Sequence, residues 1–287
     1  MTGRRILATL AAVVAVVLTF GTLSPFSFCD ENTASTWFRG WCSMLSPNQP
    51  PADRHIFTCK SHTYSTEILS VDPLVIYIHD FISSHEVSSL LETGEPLFGP
   101  SLLTGKDGQV RQSQRRTSQT AQMQIDDPVV RCVLERASGF MGSMLSLPYD
   151  DFQPPQLVRY SEKQQFKVHA DWFDEPQSRR ADSSGIGSSW NRPATFLAIL
   201  EDNCTAGETW FPHIHIPKKA VAKRTESPPW RLHEQDGLAV KPIRGNALFW
   251  VNLFANGTGD DRTRHAGLPP TSGVKTALNI WPRVYYS

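Results

Sequence analysis

"RYSEKQQFKVHADWFDEP", residues Arg159 to Pro176, sets one histidine and one aspartate two positions apart, His169 and Asp171, among aromatic and apolar neighbours. Residues i and i+2 of a strand point to the same face. An imidazole nitrogen and a carboxylate oxygen can therefore meet one ion there. Two histidines and a carboxylate on one face of an octahedron suit non-haem Fe(II) and leave three positions open. The third ligand has to come from elsewhere. The pair alone is weak: with nine histidines in the chain, about half of one H-x-D is expected from composition, and an ordinary polar pair on a half-exposed strand is the plain alternative.

A second segment, "RHAGLPPTSGVKTALNIWPR", strengthens the case. It places His265 ten residues before Lys275, with Gly267 to Gly273 reading as a turn between them. Two antiparallel strands joined by that turn would carry the histidine and the lysine into one interior. A lysine within an apolar strand is costly unless an anion meets it. A dicarboxylate would supply the anion at one end and chelate a metal at the other, with one position left for dioxygen.

The frame around these segments is that of a globular chain. It has 287 residues, a formal net charge of zero, 40% hydrophobic and 20% charged residues, enough apolar material for a one-domain core. The neutral balance gives no argument for a nucleic-acid partner. Arg4 and Arg5 precede the uncharged run "ILATLAAVVAVVLTF". A basic flank before an apolar core is either a signal anchor or a cleaved secretory signal, and an anchor of this polarity would leave the rest of the chain lumenal. Cys29, Cys42 and Cys59 follow closely, Cys132 and Cys204 lie far apart, and the odd total leaves connectivity open. The sequons at Asn203 and Asn256 are compatible with a lumenal protein.

Along the chain, residues 1–23 read as the anchor or signal peptide, 24–66 as a Ser-, Pro- and Asn-rich lumenal stalk, and 67–287 as the folded domain. Leu74 to Ile78 is a β-branched run. Ser83 with Glu86 forms a capping box opening a helix to about Thr93. The polar stretch 99–121 reads as a loop or hairpin. Asp127-Pro128 starts a second helix whose Val129, Val133, Ala137, Met141 and Met144 recur at helical spacing. From Gln156 the pattern turns to strands: "QLVRY", "FKVHADWF", "ATFLAIL", "ETWF", "GLAV", "NALFWVNLF" and "KTALNIWPRVYY". Residues 212–236 read as a surface insertion, and its "HIH" at 213–215 as a loop without a nearby carboxylate. Helices followed by many short strands predict an α+β domain around a barrel or double sheet.

The motifs "RRTSQTA", "LVRY", "FKVHADWF", "RPATFLAIL", "GETWFP", "GNALFW" and "RTRHAGLPPTSGVKTALNIWPR" stand in one order. In that order and spacing the chain, from about Leu69 to Arg283, resembles the catalytic domain of prolyl 4-hydroxylases among the 2-oxoglutarate- and Fe(II)-dependent dioxygenases, and is similar to fungal, membrane-anchored members. The resemblance implies a double-stranded β-helix, or jelly roll, with supporting helices. It implies His169, Asp171 and His265 as iron ligands, Lys275 for the 5-carboxylate of 2-oxoglutarate, and Thr209 and Tyr160 as cosubstrate contacts. Arg192 and Trp281 fall on the substrate side, and Arg116 to Ser118 on a segment near the substrate-covering loop. Fe(II), 2-oxoglutarate, O2 and L-ascorbate are the implied cofactors and cosubstrates.

The implied reaction is hydroxylation of an unactivated C–H bond with release of succinate and CO2, on peptidyl proline or, with the same site, on a small metabolite. The implied location is the endoplasmic reticulum membrane with a lumenal domain, or secretion. The sequence departs from the family at Ala206, where a glycine is usual, at Phe166, often tyrosine, and at Arg231, where fungal members commonly carry cysteine after tryptophan. Asp171 argues for hydroxylation, because a small residue there would open a halide site. A non-catalytic jelly-roll binding module and a zinc hydrolase are the rivals; the intact set His169, Asp171, His265 and Lys275 argues against the first, and the second leaves Lys275 without a role.

Overall fold

The computed structural model describes residues 57–104, 110–142, 151–178, 189–216 and 228–286. The expected anchor over 1–23 and most of the expected stalk lie outside them, as does Met144. No helix among the described residues is long and apolar enough to cross a membrane.

Two antiparallel sheets form the body. The major sheet has eight strands in the order Ser65–Val71, Leu74–His79, Ala247–Val251, Ala194–Glu201, Lys275–Ile280, Gln156–Tyr160, Gln119–Gln122 and Gly99–Pro100. The minor sheet has five, in the order Trp230–Leu232, Leu238–Val240, Thr209–Phe211, His265–Gly267 and Phe166–His169.

The central strands of the major sheet are apolar on both faces because both faces are covered. Ile76, Ile78, Phe196, Ala198, Phe249 and Leu278 belong to a core shared with the helices. Their alternates Val75, Tyr77, Leu197, Ile199, Leu248 and Ala277 pack with Phe211, Leu238 and Val240 of the minor sheet. The period of two thus sorts each strand between an outer core and an inner one. The same parity turns Lys275 inward, on the side of Ala277.

The helices form where their caps predict. Ser84–Gly94 opens on the reciprocal capping box of Ser83 and Glu86, and Pro128–Phe140 on Asp127, which accepts from Val129 N at 2.9 Å. Val87, Leu90, Val133, Ala137 and Phe140 bury on the outer face of the major sheet. Glu86 also accepts from Arg136 at 3.0 Å, and Arg136 donates to the carbonyl of Phe81 at 2.8 Å. One carboxylate therefore caps the first helix and binds it to the second.

Three expectations need correction. The compact unit starts at Phe57, not at 67. Phe57 and Tyr64 pack against the outer core, and Cys59 is disulfide-bonded to Cys132. Aromatics spaced without a period gave no strand or helix signal there. The insertion is not all surface: Trp230–Leu232 pairs with Leu238–Val240, and Trp230 and Ile214 are buried. The turn between those strands uses Gly237 at φ +82°, where a Cβ would stand 2.2 Å from the Phe211 carbonyl oxygen. Finally, His265 and Lys275 are not on paired strands. The histidine strand belongs to the minor sheet and the lysine strand to the major one, so the segment between them crosses from sheet to sheet. A hairpin would have put both residues on one sheet; the double-layer fold sets them on opposite walls.

Glu86→Ala removes the cap and leaves Arg136 without its carboxylate. We expect a loss of about 3 to 5 kcal/mol, measured as a lower denaturant midpoint with an unchanged slope.

Candidate active site

A cavity of about 220 Å³ lies between the sheets. On its minor-sheet wall His265 stands directly across from His169 in the antiparallel register. Such pairs have neighbouring side chains, and the ring centroids are 4.4 Å apart. Asp171, just past the end of the His169 strand, completes the group. Its Oδ1 is 3.6 Å from His169 Nε2 and its Oδ2 3.9 Å from His265 Nε2. This is the sole potential metal-holding cluster among the described residues. His213 and His215 are exposed, with His215 beside Asp236 at 3.3 Å.

Each imidazole is oriented by its neighbour in sequence. Nδ1 of His169 is 2.9 Å from the Lys167 carbonyl and Nδ1 of His265 is 3.1 Å from that of Thr263. A carbonyl only accepts, so Nδ1 carries the proton and Nε2 presents its lone pair to the cavity. Burial, then the neighbouring His169, lowers the His265 pKa to about 4, so the ring is neutral at pH 7. Burial alone would raise the Asp171 carboxyl. His265 and His169, with the Arg192 charge behind them, outweigh it and hold the group well below the usual carboxylate range.

Asp171 is held on its far side. Its Oδ2 accepts from Thr195 Oγ1 at 2.9 Å and from Trp281 Nε1 at 3.1 Å, and Thr195 accepts from Asn252 Nδ2 at 2.9 Å. Thr195 and Asn252 are fully buried. With Oδ2 occupied twice, Oδ1 is the oxygen free to bind an ion. The sequence reading missed this chain, although both residues interrupt otherwise apolar runs, "RPATFLAIL" and "FWVNLF". That interruption was the available signal.

Lys275 lies on the opposite, major-sheet wall and is 1% exposed. Its Nζ donates to the carbonyl of Gly207 at 2.8 Å and to Thr209 Oγ1 at 3.2 Å, both neutral. Burial, without a compensating carboxylate in contact, lowers its pKa to about 8. Tyr160 is its cross-strand partner, and burial pushes the phenol up to about 12, so it stays protonated. Gly267 makes room for that ring: a Cβ there would meet Tyr160 Oη at 3.0 Å.

The remaining predicted residues line the same cavity. Arg192 donates to the Asp171 carbonyl at 3.1 Å and to Gln153 Oε1 at 2.9 Å, and lies 3.9 Å over the Trp281 ring. Arg116 donates to Gln156 Oε1 at 2.7 Å and stacks at 4.8 Å over Phe166. Phe166 stacks on His169 with centroids 3.5 Å apart. Arg231, at the family's cysteine position, pairs with Glu208 at 3.0 Å, and Cys204 is a free thiol.

The donor set fits a divalent first-row metal. Ligand bonds of about 2.0 to 2.2 Å span separations of the size seen between Asp171 and each histidine, and two imidazoles with one carboxylate are the Fe(II) facial set. Known proteins agree. Residues 155–283 match the family described as the 2OG-Fe(II) oxygenase superfamily. Those residues form a domain of that superfamily's kind. Prolyl 4-hydroxylase subunit alpha-1 of Rattus norvegicus is 30% identical over 213 residues, 73% of this chain and 34% of that protein. Prolyl 4-hydroxylase 1 of Arabidopsis thaliana is 27% identical over 221 residues, 76% of this chain and 71% of that protein. This chain thus spans about a third of the rat relative's length. The crystal structure of a viral collagen prolyl hydroxylase from Paramecium bursaria Chlorella virus-1, as a 2OG complex, shares the fold with a TM-score of 0.51 at 22% identity, over 73% of this chain and 96% of that one. The oxygenase domain is therefore similar to that of prolyl 4-hydroxylases.

Thr195→Val keeps the shape but removes the donor to Asp171. Metal affinity should fall about tenfold or more, read by Co(II) titration alongside a circular-dichroism melt that shows the fold retained. Unchanged affinity would show that Thr195 does not orient the carboxylate.

Proposed function

We propose that the chain is a 2-oxoglutarate- and Fe(II)-dependent oxygenase that hydroxylates peptidyl proline. The observation that carries this reading is Lys275: a buried ammonium, bonded among the described residues only to neutral acceptors, across one small cavity from two oriented imidazoles and a carboxylate. A buried cation of that kind calls for an anion, and a 2-oxo dicarboxylate matches both ends of the cavity.

His169, Asp171 and His265 would hold the iron, and Lys275 with Thr209 and Tyr160 the far carboxylate. Iron, 2-oxoglutarate and O2 supply the oxidant for C–H hydroxylation, with succinate and CO2 released and L-ascorbate as reductant. The chain's own part is position and shelter. Nδ1–H bonds fix both rings, Thr195 and Trp281 leave one oxygen of Asp171 available, and the aromatic walls of Phe166 and Trp281 limit water. Arg116 and Arg192 present N–H donors on the substrate side, suited to peptide carbonyls. Support for proline as the substrate comes from the relatives, which are prolyl 4-hydroxylases by name.

A small metabolite is the second reading. It is favoured by one feature: among the described residues neither Arg116 nor Arg192 is hydrogen-bonded to a carboxylate, so either guanidinium could take a free carboxylate. We further infer a membrane-anchored lumenal enzyme of the endoplasmic reticulum. The apolar run after Arg5, the Cys59–Cys132 disulfide and the exposed sequon asparagines support it.

Purified protein with Fe(II), 2-oxoglutarate and a proline-rich peptide should release succinate and hydroxyproline in equal amounts; succinate with no peptide hydroxylation would favour the metabolite reading. Lys275→Ala should raise the 2-oxoglutarate requirement roughly a hundredfold, as for about 3 kcal/mol of lost charge pairing.

The pH dependence has a definite sign. The ammonium is the binding form, and its pKa is about 8. Apparent 2-oxoglutarate affinity should be constant below that pH and fall as pH rises through it, by up to about tenfold per unit. Lys275→Arg, if it binds the cosubstrate at all, should abolish the slope. Affinity titrations across pH 7 to 9.5 check this.

A further inference from the structure

The loop "FANGT", Phe254 to Thr258, follows the strand Ala247–Val251. Gly257 N–H donates to the Phe254 carbonyl at 2.9 Å, and Phe254 N–H donates to the Thr258 carbonyl at 2.8 Å. Leu253 and Gly259 pair just outside them. The chain therefore reverses between Phe254 and Thr258. Gly257 takes φ +82°, the left-handed conformation that closes such a reversal. Asn256 lies inside the turn, so its Cα stays within about 7 Å of that of Phe254.

Phe254 is 46% exposed, and no other Phe, Tyr or Trp among the described residues is exposed. The Arg262 guanidinium lies over the ring, 5.4 Å from its centroid. Asp260 at 2.7 Å and Asp72 at 2.8 Å hold that guanidinium. One face of the ring is thus backed by a fixed cation, and the exposed part meets water. Asn256 and Thr258 are exposed in the same turn. Asn256 Oδ1 accepts from Thr258 N at 3.0 Å and from Thr258 Oγ1 at 2.7 Å. Its Nδ2 has no partner among the described residues. The other sequon is built differently. Asn203 gives its carbonyl to Val274 N–H at 2.8 Å, and the Thr205 hydroxyl accepts from Ser272 Oγ at 3.1 Å on the paired strand.

We propose that Asn256 is an N-glycosylation site and that its first sugar packs on the exposed face of Phe254. The inference rests on the lumenal reading above. The amide nitrogen bonds the anomeric carbon of a lipid-diphosphate-linked oligosaccharide. The carbon–oxygen bond to the diphosphate breaks, the lipid diphosphate leaves, and the nitrogen gives up one proton to the transferase. The acceptor amide and the hydroxyl two residues on are the groups a sequon needs. Phe254 adds a platform. A pyranose presents a face of C–H groups, and the face of an aromatic ring carries negative charge density that attracts them. Covering the ring also removes apolar area from water.

The test expresses the full chain in a yeast secretory host. Peptide N-glycosidase in heavy-oxygen water should convert Asn256 to labelled aspartate, the label separating enzymatic release from spontaneous deamidation of the Asn-Gly bond. Asn256→Gln should remove that glycan, and Asn203→Gln should leave it. A sequon appended after Ser287 reports lumenal exposure independently. If the appended sequon is modified while Asn256 stays bare, the site is overturned and the lumenal reading stands. If neither is modified, the lumenal reading falls and the site with it. The platform is tested by melting. Protein trimmed by endoglycosidase H to a single N-acetylglucosamine should melt about 2 to 4 °C above Asn256→Gln. In the Phe254→Ala background that gain should vanish, with lectin capture supplying the glycan-bearing form if occupancy drops. No gain, or a gain that survives Phe254→Ala, overturns the packing on Phe254.

Discussion

The antiparallel register that sets His265 opposite His169 is the constraint on which the site depends. Side chains alternate faces along a strand, so a slip of one residue on either strand would turn an imidazole out of the cavity. The register is pinned from both ends. Thr209 pairs with Gly267 on the neighbouring strand, and the bare Cα of Gly267 gives Tyr160 its space. The metal group, the cosubstrate wall and the minor-sheet pairing are thus one arrangement: moving any strand by one position would disturb all three.

The major sheet divides its labour by parity. Its outer face is given mainly to packing, against two helices bound to each other through Glu86 and Arg136 and, through Cys132, to Cys59 in the chain before the first strand. Its inner face carries polar residues where apolar ones would pack as well: Thr195, Lys275 and Asn279 among Leu197, Val158 and Ala277. Burying such groups costs free energy unless partners meet them. Thr195 has its partners in Asp171 and Asn252. Lys275 has only part of its set, which is why its neutral contacts argue for an anionic ligand rather than for stability.

The metal group was legible in the sequence because its chemistry is carried by few residue types at short spacing. The H-x-D pair needs only strand geometry, and a lysine inside "VKTALNIW" is conspicuous against its neighbours. Most strands were legible too, through alternation and β-branched runs. What failed was information held in the third dimension. The segment from Gly267 to Gly273 has the composition of a hairpin turn, yet its flanking strands belong to different sheets, and nothing local separates a turn that pairs its flanks from one that parts them. The attachment of Phe57 and Cys59 to the second helix is equally non-local, joining positions 73 residues apart. Trp230–Leu232 is too short to show a period, and its turn is marked by Gly237 alone. Thr195 and Asn252 could be flagged as polar interruptions, but that both serve Asp171 follows only from the folded distances.

Charge decides how the cavity divides between its ligands. The protein brings one carboxylate, Asp171, and three cations, Lys275, Arg116 and Arg192. On the proposed reading a divalent metal and a dianionic cosubstrate cancel each other. Lys275 then balances Asp171 in count, although the two stand on opposite walls. Two guanidiniums remain, both on the substrate side and both bonded to neutral oxygens. A surplus so placed disfavours a cationic group next to the reacting carbon, because like charges in a low-dielectric cavity repel strongly. It suits a free carboxylate or a neutral chain dense in carbonyl acceptors. A prolyl residue meets that demand well: its nitrogen has no hydrogen to offer, so its backbone brings an acceptor and no competing donor to a wall made of donors.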